Sequence, residues 1–200
     1  DGHRATLGLH RPFFSLETRW SFRLQVDDFD RLDPLYEEGE RVSELRHLGS
    51  QSVLEIARAL RRTSSSALRL HVAYQRSDDD LEVEHRRFGI LRVGVTSVRH
   101  NFLKLTHVNR FERVEDINLG DEAAAFFGLS IPSLGGEPGT SYFFFLSERR
   151  GVSFSASSFL LGGLSWQARH RNGRLENGIF RARVDWVYKF HPRRLILAKA

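Results

Sequence analysis

From Phe180 the chain alternates with a period of two. Phe180, Ala182, Val184, Trp186, Tyr188 and Phe190 occupy the even positions, and Ile179, Arg181, Arg183, Asp185, Val187 and Lys189 the odd ones. Successive side chains of an extended strand point to opposite faces, so this stretch predicts a β-strand with one apolar and one charged face. The pattern recurs. In "TRWSFRLQV", Trp20, Phe22, Leu24 and Val26 alternate with Arg19, Ser21, Arg23 and Gln25. In "ALRLHVAYQ", Leu68, Leu70, Val72 and Tyr74 alternate with Arg69, His71, Ala73 and Gln75. In "ILRVGVTSV", Leu91, Val93 and Val95 alternate with Arg92, Gly94 and Thr96. In "NLGDEAAAFFGL", Leu119, Ala123, Ala125, Phe127 and Leu129 are set against Asn118, Gly120, Glu122, Ala124 and Gly128. Both faces of "SYFFFLS" are apolar, and glycines blur the pattern in "FLLGGLSWQAR".

Turn signals separate these segments. "RRTSSS" and "HPRR" are short, and Asn172–Gly173 is an Asn-Gly hairpin signal. "IPSLGGEPGT" predicts a longer connection, and the acidic "DDFDRLDPLYEEGERV" and "DDDLEVEHRR" predict long loops. In "SVLEIARALRR", Val53, Ile56, Ala57 and Leu60 also fit a helical stripe, but strands on either side favour a strand. The expectation is an all-β chain of about nine or ten antiparallel, up-and-down strands with almost no helix, residues 1–200 forming part of one domain. The chain opens at Asp1 with no signal peptide and ends in mid-pattern at "RRLILAKA", the expected mark of a fragment or a processed chain.

Alternation does not say which face is inside. An apolar face packs into the core of a soluble sandwich, or faces lipid while the charges line a watery lumen. Four features favour lipid, one of them the occurrence of both long polar loops and tight turns, as in outer-membrane barrels. "LENGIFRARVDWVYKF" reaches the roughly 9–11 residues that a tilted strand needs to cross a bilayer. Arginines segregate to one face, where an aqueous lumen accommodates them and lipid would not. Aromatics near strand ends, among them Trp20, Tyr74, Tyr142, Trp186, Tyr188 and Phe190, suit interfacial girdles. The resulting expectation is a partial transmembrane β-barrel, an open curved sheet. Trp20, Phe22, Leu24, Tyr74, Phe180, Val184, Trp186 and Tyr188 face lipid, and Arg23, Arg69, Arg92, Glu122, Arg181, Arg183 and Asp185 face the lumen. The lumen charges line a channel, grip an internal loop or pair across strands.

Candidate chemistry adds little. The chain has 30 basic and 25 acidic residues and a net charge of +5, without a Lys/Arg stripe or motif that reads nucleic acid. Cysteine is absent, which excludes disulfides and thiolate metal sites. Asp27, Asp28, Asp30 and Asp33 offer oxygen ligands for calcium but lack the glycine and terminal glutamate of an EF-hand loop. His85 beside Glu82 and Glu84 has no helical zinc spacing. There is no nucleophile elbow, and "SLGGEPG" reads as a turn. No enzyme activity, cofactor, metal, nucleic acid or small-molecule substrate is expected.

"RPFFSLETRW", "DRLDPLYEEGE" and "RFERVEDINLGDEAAAFFGLS", in that order, resemble the C-terminal barrel region of BamA/TamA-type outer-membrane proteins, most of all the uncharacterised bacterial members. The family's Arg-Gly-Phe/Tyr triplet and its periplasmic POTRA domains are not in these residues. The resemblance implies a bacterial outer-membrane protein that inserts proteins into, or moves them across, that membrane, with lipid and client outer-membrane proteins as partners. The alternatives are a passive porin or structural barrel and a soluble all-β binding module.

Overall fold

The computed structural model describes residues 2–81, 84–106, 114–155, 157–191 and 194–200. Within them lie twelve strands and one 3-10 turn. The strands are β1 (His3–Arg11), β2 (Trp20–Glu37), β3 (Glu40–Arg62), β4 (Ser66–Leu81), β5 (Glu84–Arg99), β6 (Phe102–Thr106), β7 (Val114–Asn118), β8 (Glu122–Ser130), β9 (Ser141–Ser155), β10 (Ser158–Arg171), β11 (Arg174–His191) and β12 (Arg194–Lys199). Ten form one antiparallel sheet in the order β1-β2-β3-β4-β5-β8-β9-β10-β11-β12, and β6 pairs only with β7. The sheet is open, with β1 and β12 at its edges. The segment with helical spacing, Val53 to Leu60, is strand, because its backbone is paired on both sides by β2 and β4.

The acidic stretches depart from expectation. The residues expected as a loop after Val26 continue β2 to Glu37 and return as β3 through a turn at Glu38–Gly39, both with positive φ (51° and 88°). Cross-strand pairing of the charges explains why: Arg46 donates to Asp30 at 2.6 Å, and His47 meets Asp33 at 3.1 Å. Pro34 lies beyond the last residue paired with β1, where β2 has become an edge strand that tolerates a missing N–H. The expected loop "DDDLEVEHRR" is likewise mostly the end of β4 and the start of β5. The Asn172–Gly173 turn is where the sequence puts it, with φ of 51° and 76°.

The sheet curls. The ring of His71 on β4 lies 5.6 Å from that of Phe126 on β8, across β5, and the Arg169 guanidinium of β10 lies 5.9 Å from the Phe88 ring of β5. One cavity of about 610 Å³ has walls from β3 (Glu55) through β5 (Arg92) and β9 (Phe143) to β11 (Asn177). A flat sheet with strands about 4.8 Å apart could not surround one hollow from seven strands. The face carrying Arg23, His71, Arg92 and Phe126 is therefore concave.

The small apolar core sits on this concave side. Leu105 and Leu119 pack on Phe159 and Val187, with Leu103, Ile117 and Leu161 around them. The β6–β7 hairpin is thus folded inward. Two glycines permit it: a Cβ on Gly120 would lie 1.7 Å from the Arg99 carbonyl oxygen, and one on Gly151 would lie 2.5 Å from Leu119 Cα. This corrects the expectation that Leu119 shares a face with Ala123. The strand breaks at Gly120–Asp121, the alternation loses phase there, and Leu119 is buried inside.

Candidate functional site

The candidate site is the sheet itself, whose two faces differ in chemistry. The convex face is apolar and exposed: Trp20 is 47% accessible, Leu54 51%, Leu146 49% and Phe180 66%. Leu24, Val72, Val93, Val184, Trp186 and Tyr188 are exposed beside them. The concave face mixes small and polar residues with aromatic ones such as Phe126, Phe143 and Phe145, and Ala57, Ala73, Asp27 and Ser77 are buried there. An antiparallel sheet with one solvated face usually buries the apolar one; here most of the large apolar side chains of the convex face are exposed. Of the residues expected on the outside, Phe22 and Tyr74 are half-buried. The Tyr74 hydroxyl donates to the Leu134 carbonyl at 2.7 Å, because the 131–140 connection folds against that end of the strand.

The apolar band runs obliquely to the strands. In β2 it extends from Trp20 to Val26, centred at Arg23, and in β11 from Phe180 to Phe190, centred at Asp185. The row of paired residues through Arg23 passes Glu55, Ala73, Arg92, Gly128, Phe143 and Arg169, and meets β11 at Glu176. The band's centre has therefore moved nine residues, from Glu176 to Asp185, over seven strand-to-strand steps. At about 3.3 Å per residue and 4.7 Å between strands, this is a slope of about 40°. Along β11 the band then stands about 25 Å tall at that tilt. Charges interrupt it at Arg58, stacked 5.2 Å from the Trp20 ring, and at Glu148 and Arg150 in β9.

Register places all seven expected lumen residues on the concave side. They do not form one cluster. Arg23 donates to Gln25, which donates to Asp27, while the Thr6 hydroxyl reaches Asp27 at 2.6 Å. Glu122 pairs with Arg149 directly opposite on β9, at 3.6 Å, and Arg183 pairs with Asp185 along its own strand at 2.9 Å. Arg69 lies 4.2 Å from the Phe13 ring and Arg92 5.6 Å from that of Phe126. Arg181 is exposed. So one directly opposed ion pair exists among these seven, and the other contacts run along strands, onto rings or, from Arg69, to the Ser15 carbonyl of the β1–β2 connection at 3.5 Å.

The sequence reading passed over the centre of this face. His71 bridges Glu55 at 2.8 Å and Thr96 at 2.9 Å, with Phe13 and Phe126 edge-on to its ring. Phe13 comes from the β1–β2 connection, which also buries Leu16, so that connection caps one end of the concavity. The only signal for it was the apolar pair in "RPFFSL". The calcium candidate fails on geometry. Asp28 and Asp30 lie on one face of β2 and Asp27 and Asp33 on the other, so their carboxylates do not converge. His85 pairs with Asp78 at 3.2 Å, Glu82 and the Glu84 side chain lie outside the described residues, and no group of metal-binding side chains occurs among those that are described. Compared with known proteins, the chain matches no family model, no curated protein and no solved structure.

Proposed function

We propose that this chain is a section of the wall of an outer-membrane β-barrel, its convex face in lipid and its concave face toward a wet lumen. The observation that carries this is the exposed apolar band of the convex face: broken by only a few charges, it crosses the strands at about 40°, within the roughly 35–45° tilt of membrane barrels, and in β11 it reaches about their 25 Å apolar height. The concave polar face supports it. Arg23, Arg181 and Arg183 are exposed to solvent on that face, as side chains lining a water-filled lumen would be.

Within that reading, the resemblance to BamA/TamA-type barrels points to insertion or translocation of proteins, with outer-membrane clients as partners. The exposed edge strand β1, with Leu7 and Leu9 on its apolar face, is the kind of edge that accepts an incoming strand. A passive porin is the second reading, supported by the arginine-bearing cavity, in which Arg92 shares the lining with Glu55 and Arg169 pairs with Glu176 at 2.7 Å. Detergent phase partitioning tests the shared premise: the wall section enters the detergent phase, whereas recovery in the aqueous phase would establish a soluble module. Planar-bilayer conductance separates the other two, a steady anion-selective current favouring the porin.

A further inference from the structure

Among the described residues, backbone pairing within the sheet lapses where β5 runs on before its first β8 partner, Leu91–Leu129, and between β8 and β9. Their ladder begins at Glu122–Arg149, and β9 continues six residues beyond it, to Ser155. The hairpin that would flank this stretch, β6–β7, has turned inside instead, leaving a gap. At the mouth of the gap, Asp121 pairs with Arg99 at 3.4 Å and with Arg150 at 3.2 Å. The two arginine side chains are 66% and 65% exposed. Alternation places Arg99, Glu148 and Arg150 on the convex face, and Val152 and Phe154 follow on the same face of β9, exposed.

The level of this cluster is the telling point. The band's centre moves about 1.3 residues per strand, so five steps beyond β2 it reaches β9 about six residues past Phe143, at about Arg149. Exposed arginines on the lipid side are least tolerated at this level. Two cations share a single carboxylate, and a second carboxylate, Glu148, stands two residues along β9 from Arg150. We propose that the gap is a lateral opening that takes the head group of a zwitterionic phospholipid. Its phosphate lies between the Arg99 and Arg150 guanidinium groups, which suit phosphate oxygens geometrically. Its ammonium meets Glu148, and its acyl chains lie over Val152 and Phe154. An added protein strand fits this edge less well. The Gly151 N–H already donates to the Leu119 carbonyl, and the Ser153 hydroxyl to that of Ser155.

The inference rests on the membrane-wall reading, and its test separates the two. The chain in a non-ionic detergent is titrated with phosphatidylethanolamine, phosphatidylglycerol and diacylglycerol of one chain length, and bound lipid is counted by native mass spectrometry. Phosphatidylethanolamine is expected to be retained best, and the Arg99→Gln/Arg150→Gln double variant to lose about tenfold of that retention with two charged hydrogen-bond partners gone. Glu148→Gln removes the preference for phosphatidylethanolamine over phosphatidylglycerol while phosphate-bearing lipids still bind, a change of selectivity that misfolding would not mimic. Arg58→Gln, a convex arginine outside the gap, leaves retention unchanged. Equal retention of the three lipids, a wild-type preference for phosphatidylglycerol, or an equal loss in Arg58→Gln would overturn the inference. A chain that enters the detergent phase without selective retention refutes only the opening; one that stays in the aqueous phase refutes the wall.

Discussion

Arg183 and Val184 are neighbours in β11 with opposite surroundings. Arg183 pairs with Asp185 on the concave side, while Val184 stands exposed on the convex side, close to the centre of the apolar band. On the proposed membrane-wall reading, Val184→Arg would put a guanidinium into hydrocarbon and is expected to cost about 2–4 kcal/mol, whereas Arg183→Gln exchanges one polar concave residue for another and is expected to be tolerated. The urea midpoint of the chain folded into lipid vesicles, with heat-modifiable migration alongside it, measures both. If Arg183→Gln were the more damaging, the strand would face the other way. Gly151 makes a different kind of demand. Leu119 crosses its bare face, and Gly151→Val is expected to cost roughly 1–3 kcal/mol by overpacking. The loss localises: amide exchange accelerates in β6 and β7 and stays slow in β3 and β4.

Among the elements, the β2–β3 hairpin outruns the band and owes its order there to charge pairs. The Arg46 guanidinium, donating to Asp30, holds that carboxyl below its ordinary range, and the hydrogen bond from His47 does the same for Asp33. A carboxyl whose folded pKa is depressed contributes stability above its unfolded value, near 3.9, and loses it as pH falls through the folded value. Amide protection over residues 28–37 and 40–48 is therefore expected to fall on acidification below about pH 4 while the band's amides stay protected. In Asp30→Asn/Asp33→Asn the acid-dependent step disappears, and protection of the hairpin is already lower at neutral pH. Hydrogen exchange across a pH series reads this directly, and an unaltered step in the variant would show that other groups hold the extension.

At the scale of the whole molecule, the three tryptophans, Trp20, Trp166 and Trp186, share the convex face. Phe144 stacks on Trp166 and Tyr188 on Trp186, so the aromatic surface is shared among β9, β10 and β11. Insertion into vesicles whose acyl chains carry bromine is expected to quench all three, and the single-tryptophan variants individually. Emission that stays unquenched, with tryptophans shielded from aqueous quenchers, would mean that the apolar face packs against protein.

Much of the fold was legible because a strand's side-chain period is two, and nearly every segment of this chain keeps it. Phe180 to Phe190 and Trp20 to Val26 specify strands and divide their side chains into two sets, whatever surrounds them. The Asn172–Gly173 turn follows as directly from the two residues that tolerate positive φ. The acidic hairpin escaped because its strand character depends on partners sixteen and fourteen positions away, Arg46 for Asp30 and His47 for Asp33, which no local composition displays. The cap of Phe13 on His71, the inward fold at Gly120 and Gly151, and the gap it opens escaped for the same reason. Period-two alternation is unchanged when the two faces are exchanged. By itself, then, the sequence determined the strands and the sorting of residues between two faces. Only the tertiary structure decided that the polar face is concave and the apolar face exposed, because curvature arises from register offsets summed over ten strands and from contacts between strands that are not neighbours.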